Sequence, residues 1–324
     1  YEGVVSDIRA IAEAAHEYGV PLIVDEAHGA HLEFADRCHS FPKSALECGA
    51  DIVIQSLHKT LPSFTQTAIL HVKGDLVDQD RVARYLSMFQ TSSPSYLFMA
   101  GMQRCIRYMD RDGRNAMVWY EKWLERFMER MKGLRVLEVL TREICDKYET
   151  VAGWDPSKFV VSTMHAEDFH GEDLAEVLRN KYHLEMEMTA PEYVIAMTSL
   201  MDTDEGFERL AAALAEIDEE LEKKKLKAPE NLESRISHPI ERMPICEAMD
   251  ANTGRTELQD TVGKVSAEFV YLYPPGIPII APGEVFTEEI VEKIEAYKAT
   301  GLLVQGPADP AADMILTVAE DHIF

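Results

Sequence analysis

Two short segments concentrate the residues that could do chemistry. Asp25-Glu26-Ala27-His28-Gly29-Ala30-His31 puts two carboxylates and two imidazoles within seven residues. Gln55-Ser56-Leu57-His58-Lys59-Thr60 puts a lysine among a histidine and two hydroxyls, 34 residues after Asp25. Each segment follows a short apolar run, Pro21-Leu22-Ile23-Val24 and Asp51-Ile52-Val53-Ile54. In an open parallel sheet, ligands bind at the carboxyl ends of the strands, which is where both segments fall.

The first segment alone admits several readings. Its letters D-E-A-H match a helicase acidic box, but that box needs a phosphate-cradling GxxxxGK[ST] loop, and the sequence has none. His28 and His31 could ligate a metal, but Gly29 argues against a helical spacing, and no further His/Cys pair supports them. The segment could also be an acidic turn that caps a helix, or an acid–histidine arrangement around an organic cofactor. The second segment changes the balance. A lysine is rarely buried without a reason. At a strand's carboxyl end it can condense with a carbonyl cofactor, and partial burial lowers its pKa towards reactivity. An Asp for a pyridinium nitrogen and a Lys for an aldehyde are what pyridoxal phosphate (PLP) chemistry requires. On this reading Asp25 holds the ring nitrogen and Lys59 the aldehyde. Ser56, His58 and Thr60 are candidate donors to the phosphate. No metal is expected.

The elements that must position these residues are visible as patterns. Periodicity predicts a helix over 5–18, ended by Gly19, and a short helix over 41–48. Strands are predicted at 21–24, 51–56 and 68–72. Their unbroken apolar runs suit strands buried on both faces, so a mostly parallel sheet covered by helices is expected. Helices follow at 76–88, 95–112 and 114–132. In the last, Trp119, Trp123, Phe127 and Met131 recur at i+4 and read as core. From about residue 134 the pattern becomes α+β, with strands near 136–140, 159–162 and 193–197 and helices at 171–181 and 204–224. The charge-dense stretch 218–235 reads as a solvated helix end running into a linker. A third unit begins near Pro239, with a helix at 287–299.

Composition removes several classes. The 57 Asp+Glu against 32 Lys+Arg give a net charge of −25 in 324 residues. Such a surface repels a phosphate backbone, so a nucleic-acid binder is not expected. Five cysteines, an odd number without a CxxC pair, read as reduced thiols in a cytosolic protein. No apolar run approaches the roughly 18–20 residues that span a bilayer, and no signal peptide is visible. No membrane partner is expected.

Val24–His31 and Gln55–Pro62, with Thr65-Gln66-Thr67 after them, resemble the bacterial Orn/Lys/Arg decarboxylases. Tyr273-Pro274-Pro275-Gly276-Ile277-Pro278 and Pro282-Gly283-Glu284 resemble the signature of that family's C-terminal domain. The likeness runs over essentially all of 1–324 and is greatest to the shorter members, which lack an N-terminal wing domain. It implies an α/β fold of the PLP-dependent transferase, aspartate aminotransferase-like type. Residues 1–112 would be the C-terminal half of the PLP-binding large domain, 113–228 a small α+β domain, and 229–324 a C-terminal α/β domain. It also implies PLP-dependent decarboxylation of lysine, arginine or ornithine to a diamine or agmatine, as a cytoplasmic step of polyamine metabolism or of acid resistance.

The resemblance assigns roles by position. Lys59 is the lysine that links to the cofactor aldehyde, and Asp25 pairs with the pyridinium nitrogen. Ala27 lies against the ring face and His28 on the O3′ side. Ser56 and His58 contact the phosphate or position the lysine. Thr91 or Ser92 reaches a neighbouring subunit's phosphate, so a homodimer or higher oligomer is implied. For the substrate's distal cation, Glu268, Glu284, Glu185 and Glu187 are candidates. The family's large domain begins well before the position of Tyr1, and its earlier half supplies a phosphate-cradling turn and a ring-stacking residue. The chain is therefore expected to be a C-terminal portion that cannot complete the site alone. Two alternatives stand beside this reading. One is another fold-type I PLP enzyme such as an aminotransferase, with Arg209 as the nearest carboxylate clamp. The other is a truncated, non-catalytic fragment.

Overall fold

A computed structural model describes residues 1–223, 239–273, 276–299 and 302–319. The predicted linker from residue 224 onward, and Pro274-Pro275 of the C-terminal signature, lie outside the described residues. The chain forms two compact units, Tyr1–Pro229 and Glu230–Phe324.

In the first unit β1 (Val4–Val5) leads into α1 (Ile8–Glu17). Asp7 caps α1 by accepting a hydrogen bond from Ala10 N at 3.0 Å. Val5, predicted as helical, is instead a strand residue. The next strands are β2 (Ile23–Asp25) and β3 (Ile52–Ser56), followed by the single turn α2 (Leu57–Thr60) and β4 (Ala68–Val72). They form one sheet in the order β2-β3-β4, with β2 parallel to β3 and β4 antiparallel to it. The expected mostly parallel sheet is corrected at β4. Only residues 57–67 join β3 to β4, too short for the crossover of a dozen or more residues that a parallel return needs. The expectation of two-sided burial also fails at β2, an edge strand whose Ile23 is 60% exposed.

Residues 41–48 form no helix. Gly49 turns back with φ of 104°, and Ala50 N bonds Ala45 O at 3.0 Å. The segment closes as successive turns instead, with Cys48 N bonding Ser44 O at 3.1 Å and Ala45 O at 3.2 Å. Asp51 joins this turn to the sheet, accepting from Leu22 N at 2.8 Å and lying 2.7 Å from His16 Nε2.

The chain continues through α3 (Gln79–Phe89), α4 (Tyr96–Tyr108) and a π turn at Met109–Gly113 into α5 (Arg114–Met131). Asp78 and Ser95 cap α3 and α4. The buried stripe of α5 includes Met117, Tyr120, Leu124, Phe127 and Met131. Trp119, predicted in that stripe, is 61% exposed. It lies one residue before Tyr120, about 100° round the helix from the face that packs.

After α5 come β5 (Glu138–Val139), α6 (Arg142–Cys145), β6 (Gly153–Trp154), β7 (Lys158–Ser162), α7 (Gly171–Tyr182), β8 (Met188–Ala190), β9 (Tyr193–Met197) and α8 (Asp204–Glu222). β1 pairs with β6, while β5-β7-β9-β8 form an antiparallel sheet. Its core is aromatic: Phe127 stacks on Phe159 at 3.9 Å, and Phe207 meets both. Each such pair adds about 0.5–1.5 kcal/mol beyond area burial. Asp218 of α8 accepts from the backbone N–H groups of Arg135, Val136 and Leu137 at 2.7–2.9 Å, fixing the chain that enters β5. Gly171 starts α7 against the sheet, where a Cβ would sit 1.9 Å from Ala190 O.

The second unit contains β10 (Ile240–Glu241), α9 (Ile245–Asp250), β11 (Thr253–Glu257), β12 (Val270–Leu272), β13 (Pro278–Ile280), β14 (Glu284–Val285), α10 (Glu288–Ala299), β15 (Val304–Gln305) and β16 (Met314–Val318). β10 pairs with β14, β11 with β16, and β12 lies between β13 and β15. Ile290 and Ile294 of α10 pack with Leu258, Val270, Ile280 and Phe286 as its core.

Candidate active site

The parallel pair β2–β3 sets the site. Asp25 stands opposite Ile54, so both strands end at one edge of the sheet. Pairing continues past the strand ends through Glu26 N to Ile54 O at 2.9 Å and Ser56 N to Ala27 O at 3.2 Å. Residues 25–27 and 54–56 are therefore held in register where the polar segments begin. Buried Leu57 and Thr60 anchor α2 and leave half-buried Lys59 on its other side.

Lys59 Nζ lies 2.9 Å from His28 Nε2. The Tyr1 ring completes the cluster, 4.3 Å from the His28 ring and 5.7 Å from Lys59 Nζ. Burial, and then the nearby Lys59 and Lys158 cations, push the His28 pKa down to about 3. The imidazole is thus neutral at pH 7, and Nε2 accepts from the lysine. Nδ1 then carries the ring proton, and it is buried without a hydrogen-bond partner.

Asp25 is exposed, with Oδ1 accepting from Ala27 N at 3.0 Å. Glu26 has a structural task. Its carboxylate accepts from Ala45 N at 2.8 Å and Gln55 Nε2 at 2.6 Å, and burial raises its pKa. Ala27 and Ser56 are half-buried at the strand ends. His58 Nδ1 donates to Thr67 O at 3.0 Å, which ties α2 to the start of β4. Thr60 Oγ1 is buried and unpartnered. Thr91 and Ser92 are exposed on the loop between α3 and α4, and no described hydrogen bond links them to Lys59.

Several other predicted groups are engaged elsewhere. Glu185 forms a two-point pair with Arg179. Glu268 accepts from the N–H groups of Ala308 and Leu316, both at 2.8 Å. Glu284 Oε2 accepts from Ala281 N at 2.7 Å. Arg209 donates to Tyr182 O at 2.8 Å and caps the end of α7. Sequence reasoning missed Tyr1, Asp155 and Lys158. Lys158, opening the apolar strand Lys158-Phe159-Val160-Val161, was the one available signal. Clefts of about 560 and 520 Å³ occur in the first unit, but neither is lined by Asp25, His28 or Lys59. The Lys59 cluster instead faces outward at the sheet edge.

His28 gives the site a pH signature. The unfolded chain takes up a proton on this residue near pH 6.5, whereas the folded chain resists until about 3. Stability therefore falls as pH drops through that window. Glu26, with its raised pKa, acts in the opposite direction. Urea unfolding between pH 6.5 and 5 should show the loss, and His28→Asn should flatten the profile. An equally steep profile in the variant would contradict the buried neutral imidazole.

A lysine and a carboxylate on neighbouring strand ends, in a mixed α/β frame, define a class, and the comparisons name it. Residues 1–205 match the family model of the Orn/Lys/Arg decarboxylase major domain, and 239–302 that of the C-terminal domain. The chain belongs to the Orn/Lys/Arg decarboxylase family. It is 33% identical over 320 residues to arginine decarboxylase of Bacillus subtilis (strain 168), covering 99% of this chain and 64% of that protein. It is 31% identical over 321 residues to arginine decarboxylase of Halalkalibacterium halodurans, with the same shares of the two chains. The chain thus spans about 64% of the length of these relatives. The Francisella novicida lysine decarboxylase superposes with a TM-score of 0.75 at 19% identity, over 98% of this chain and 56% of that one. An alanine–glyoxylate aminotransferase from Nostoc superposes with 0.50 at 15% identity, over 66% and 58%. The expected aminotransferase-like α/β fold is therefore present. Among the described residues no helix is long and apolar enough to cross a membrane.

Proposed function

We propose that this chain carries the lysine-bearing centre of a PLP-dependent decarboxylase of basic amino acids, with arginine as its substrate. The observation that supports this best is the Lys59 Nζ–His28 Nε2 contact at 2.9 Å, made between the helical turn after β3 and the loop after β2, the strand that ends in Asp25. The residues present fit the cofactor: an amine, a carboxylate with an open side, and a buried imidazole N–H with no partner. The choice of arginine follows the arginine decarboxylases among the relatives.

When bound, PLP supplies an electron sink for the bond that breaks at the substrate's α-carbon. The Asp25 carboxylate would hold a proton at the ring nitrogen, and Lys59 would provide the amine that secures the aldehyde. His28 orients that amine by accepting its hydrogen bond at Nε2. Ser56, at the end of β3, and His58, on α2, would serve the phosphate, and Ala27 would offer a small apolar contact to the ring.

The engagement of Arg209 with the end of α7 favours a decarboxylase over an aminotransferase, which would use such a residue as a carboxylate clamp. A second copy of the chain is part of this reading, with Thr91 or Ser92 reaching across. The support is apolar exposure around that loop, where Phe89 is 86% and Tyr96 is 83% exposed. The three-domain division at 1–112, 113–228 and 229–324, and a place in cytoplasmic polyamine metabolism, also belong to this proposed reading. The test is release of labelled CO₂ from carboxyl-labelled arginine, lysine and ornithine, with added PLP, by the protein that carries this chain. Arginine should release label fastest. Formation of the 2-oxo acid without CO₂ would favour the aminotransferase reading.

A further inference from the structure

A buried set of charges beside the Lys59–His28 contact is left unexplained by that function. Lys158 opens β7 and is 1% exposed. Its ammonium donates to Asp155 Oδ2 at 3.0 Å and to Ser157 Oγ at 2.6 Å. Asp155 is also buried, and His31 Nε2 lies 3.3 Å from both of its carboxylate oxygens. An apolar pair of similar volume would often serve stability as well, so the charges call for another account.

The pair is tied to both sides of His28. On one side, Asp155 N donates to Gly3 O at 2.8 Å. Gly3 has φ of +82°, and a Cβ there would lie 2.8 Å from Asp155 O and 3.1 Å from Lys158 Cβ. Only glycine lets the chain pass this close, and two residues earlier Tyr1 packs on His28. On the other side, His31 stands one turn beyond His28 in the same loop, where Leu32 N bonds Gly29 O at 2.9 Å.

We infer that Asp155 and Lys158 are positioning residues for His28. Their buried pair clamps Gly3 on one side and His31 on the other, so that Tyr1 and the 26–34 loop hold the imidazole against the Lys59 amine. The inference rests on the reading of Lys59 and His28 as the centre of the site. Neither Asp155 nor Lys158 touches the reacting atoms.

The test is NMR of the full chain with ring-labelled histidine, the His28 signal being assigned with His28→Asn. The tilted Tyr1 ring, 4.3 Å from the His28 ring, displaces the His28 ring-proton resonances, and Tyr1→Leu marks their position without it. Asp155→Asn and Lys158→Met should each move His28 to that position, and the double variant no further. Gly3→Ala leaves both charges in place and should give the same loss, which decides the matter if a charge variant does not fold. Leu178→Ala, a cavity in the core of α7, should lower thermal stability and leave the His28 signal unmoved. The inference is overturned if His28 keeps its native signal in the folded variants, or if Leu178→Ala shifts it equally. The readout needs neither cofactor nor turnover, so it is separable from a failure to release CO₂.

Discussion

On the proposed function, Lys59→Ala in the protein that carries this chain should reduce CO₂ release from arginine by roughly 10³-fold or more, because it removes both the attachment point and a proton carrier. The fold should survive. Lys59 is half-buried on a single turn that Leu57 and Thr60 anchor, and its described polar contact is with His28. Loss of activity should therefore come with an unchanged thermal midpoint and with loss of covalently held PLP. Lys59→Arg should not rescue it, since a guanidinium stays protonated and is a poor nucleophile. A variant that still released CO₂ at more than a few per cent of the native rate would remove Lys59 from the centre of the account.

Asp155→Ala should have the largest effect on stability. It leaves the Lys158 ammonium buried without its counter-charge, a change that costs about 3–5 kcal/mol. Domains have about 5–15 kcal/mol in total, so the midpoint should fall by roughly 10 °C. Burial alone would raise the Asp155 pKa, but the Lys158 ammonium and His31 overcome it and hold the carboxyl well below the usual range. A depressed carboxylate pKa stabilises above the unfolded value near 4, and the contribution is lost as pH falls below it. Replacing both partners, Asp155→Leu with Lys158→Met, should recover much of the loss, because no charge is then left alone. Calorimetry of the three variants checks the pattern. A single variant as stable as the native chain would show that the pair contributes nothing to stability.

Much of the frame was legible because it depends on local pattern. The runs 21–24 and 51–54 each end in a polar segment, and that alone put Asp25 and Lys59 at neighbouring strand ends. What depended on tertiary context was not legible. The reversal at β4 follows from the short span 57–67, which the apolar pattern does not encode. Trp119 matches its helix's i+4 spacing, yet the packing face lies one residue further on, at Tyr120. Tyr1 lies far in sequence from Asp155 and Lys158, and the β1–β6 pairing brings Gly3 onto the Asp155 turn. Glu185, Glu268, Glu284 and Arg209 read as possible ligands because a sequence does not show that a charge already has a partner. His28 was found by its place in the segment, but its neutrality comes from burial and from cations supplied by two other elements.

Borohydride reduction of the chain incubated with PLP, followed by peptide mapping, shows which lysine holds the cofactor. One phosphopyridoxyl group is expected, on the peptide that contains Lys59. Label on a different lysine, with Lys59 unmodified, would contradict it.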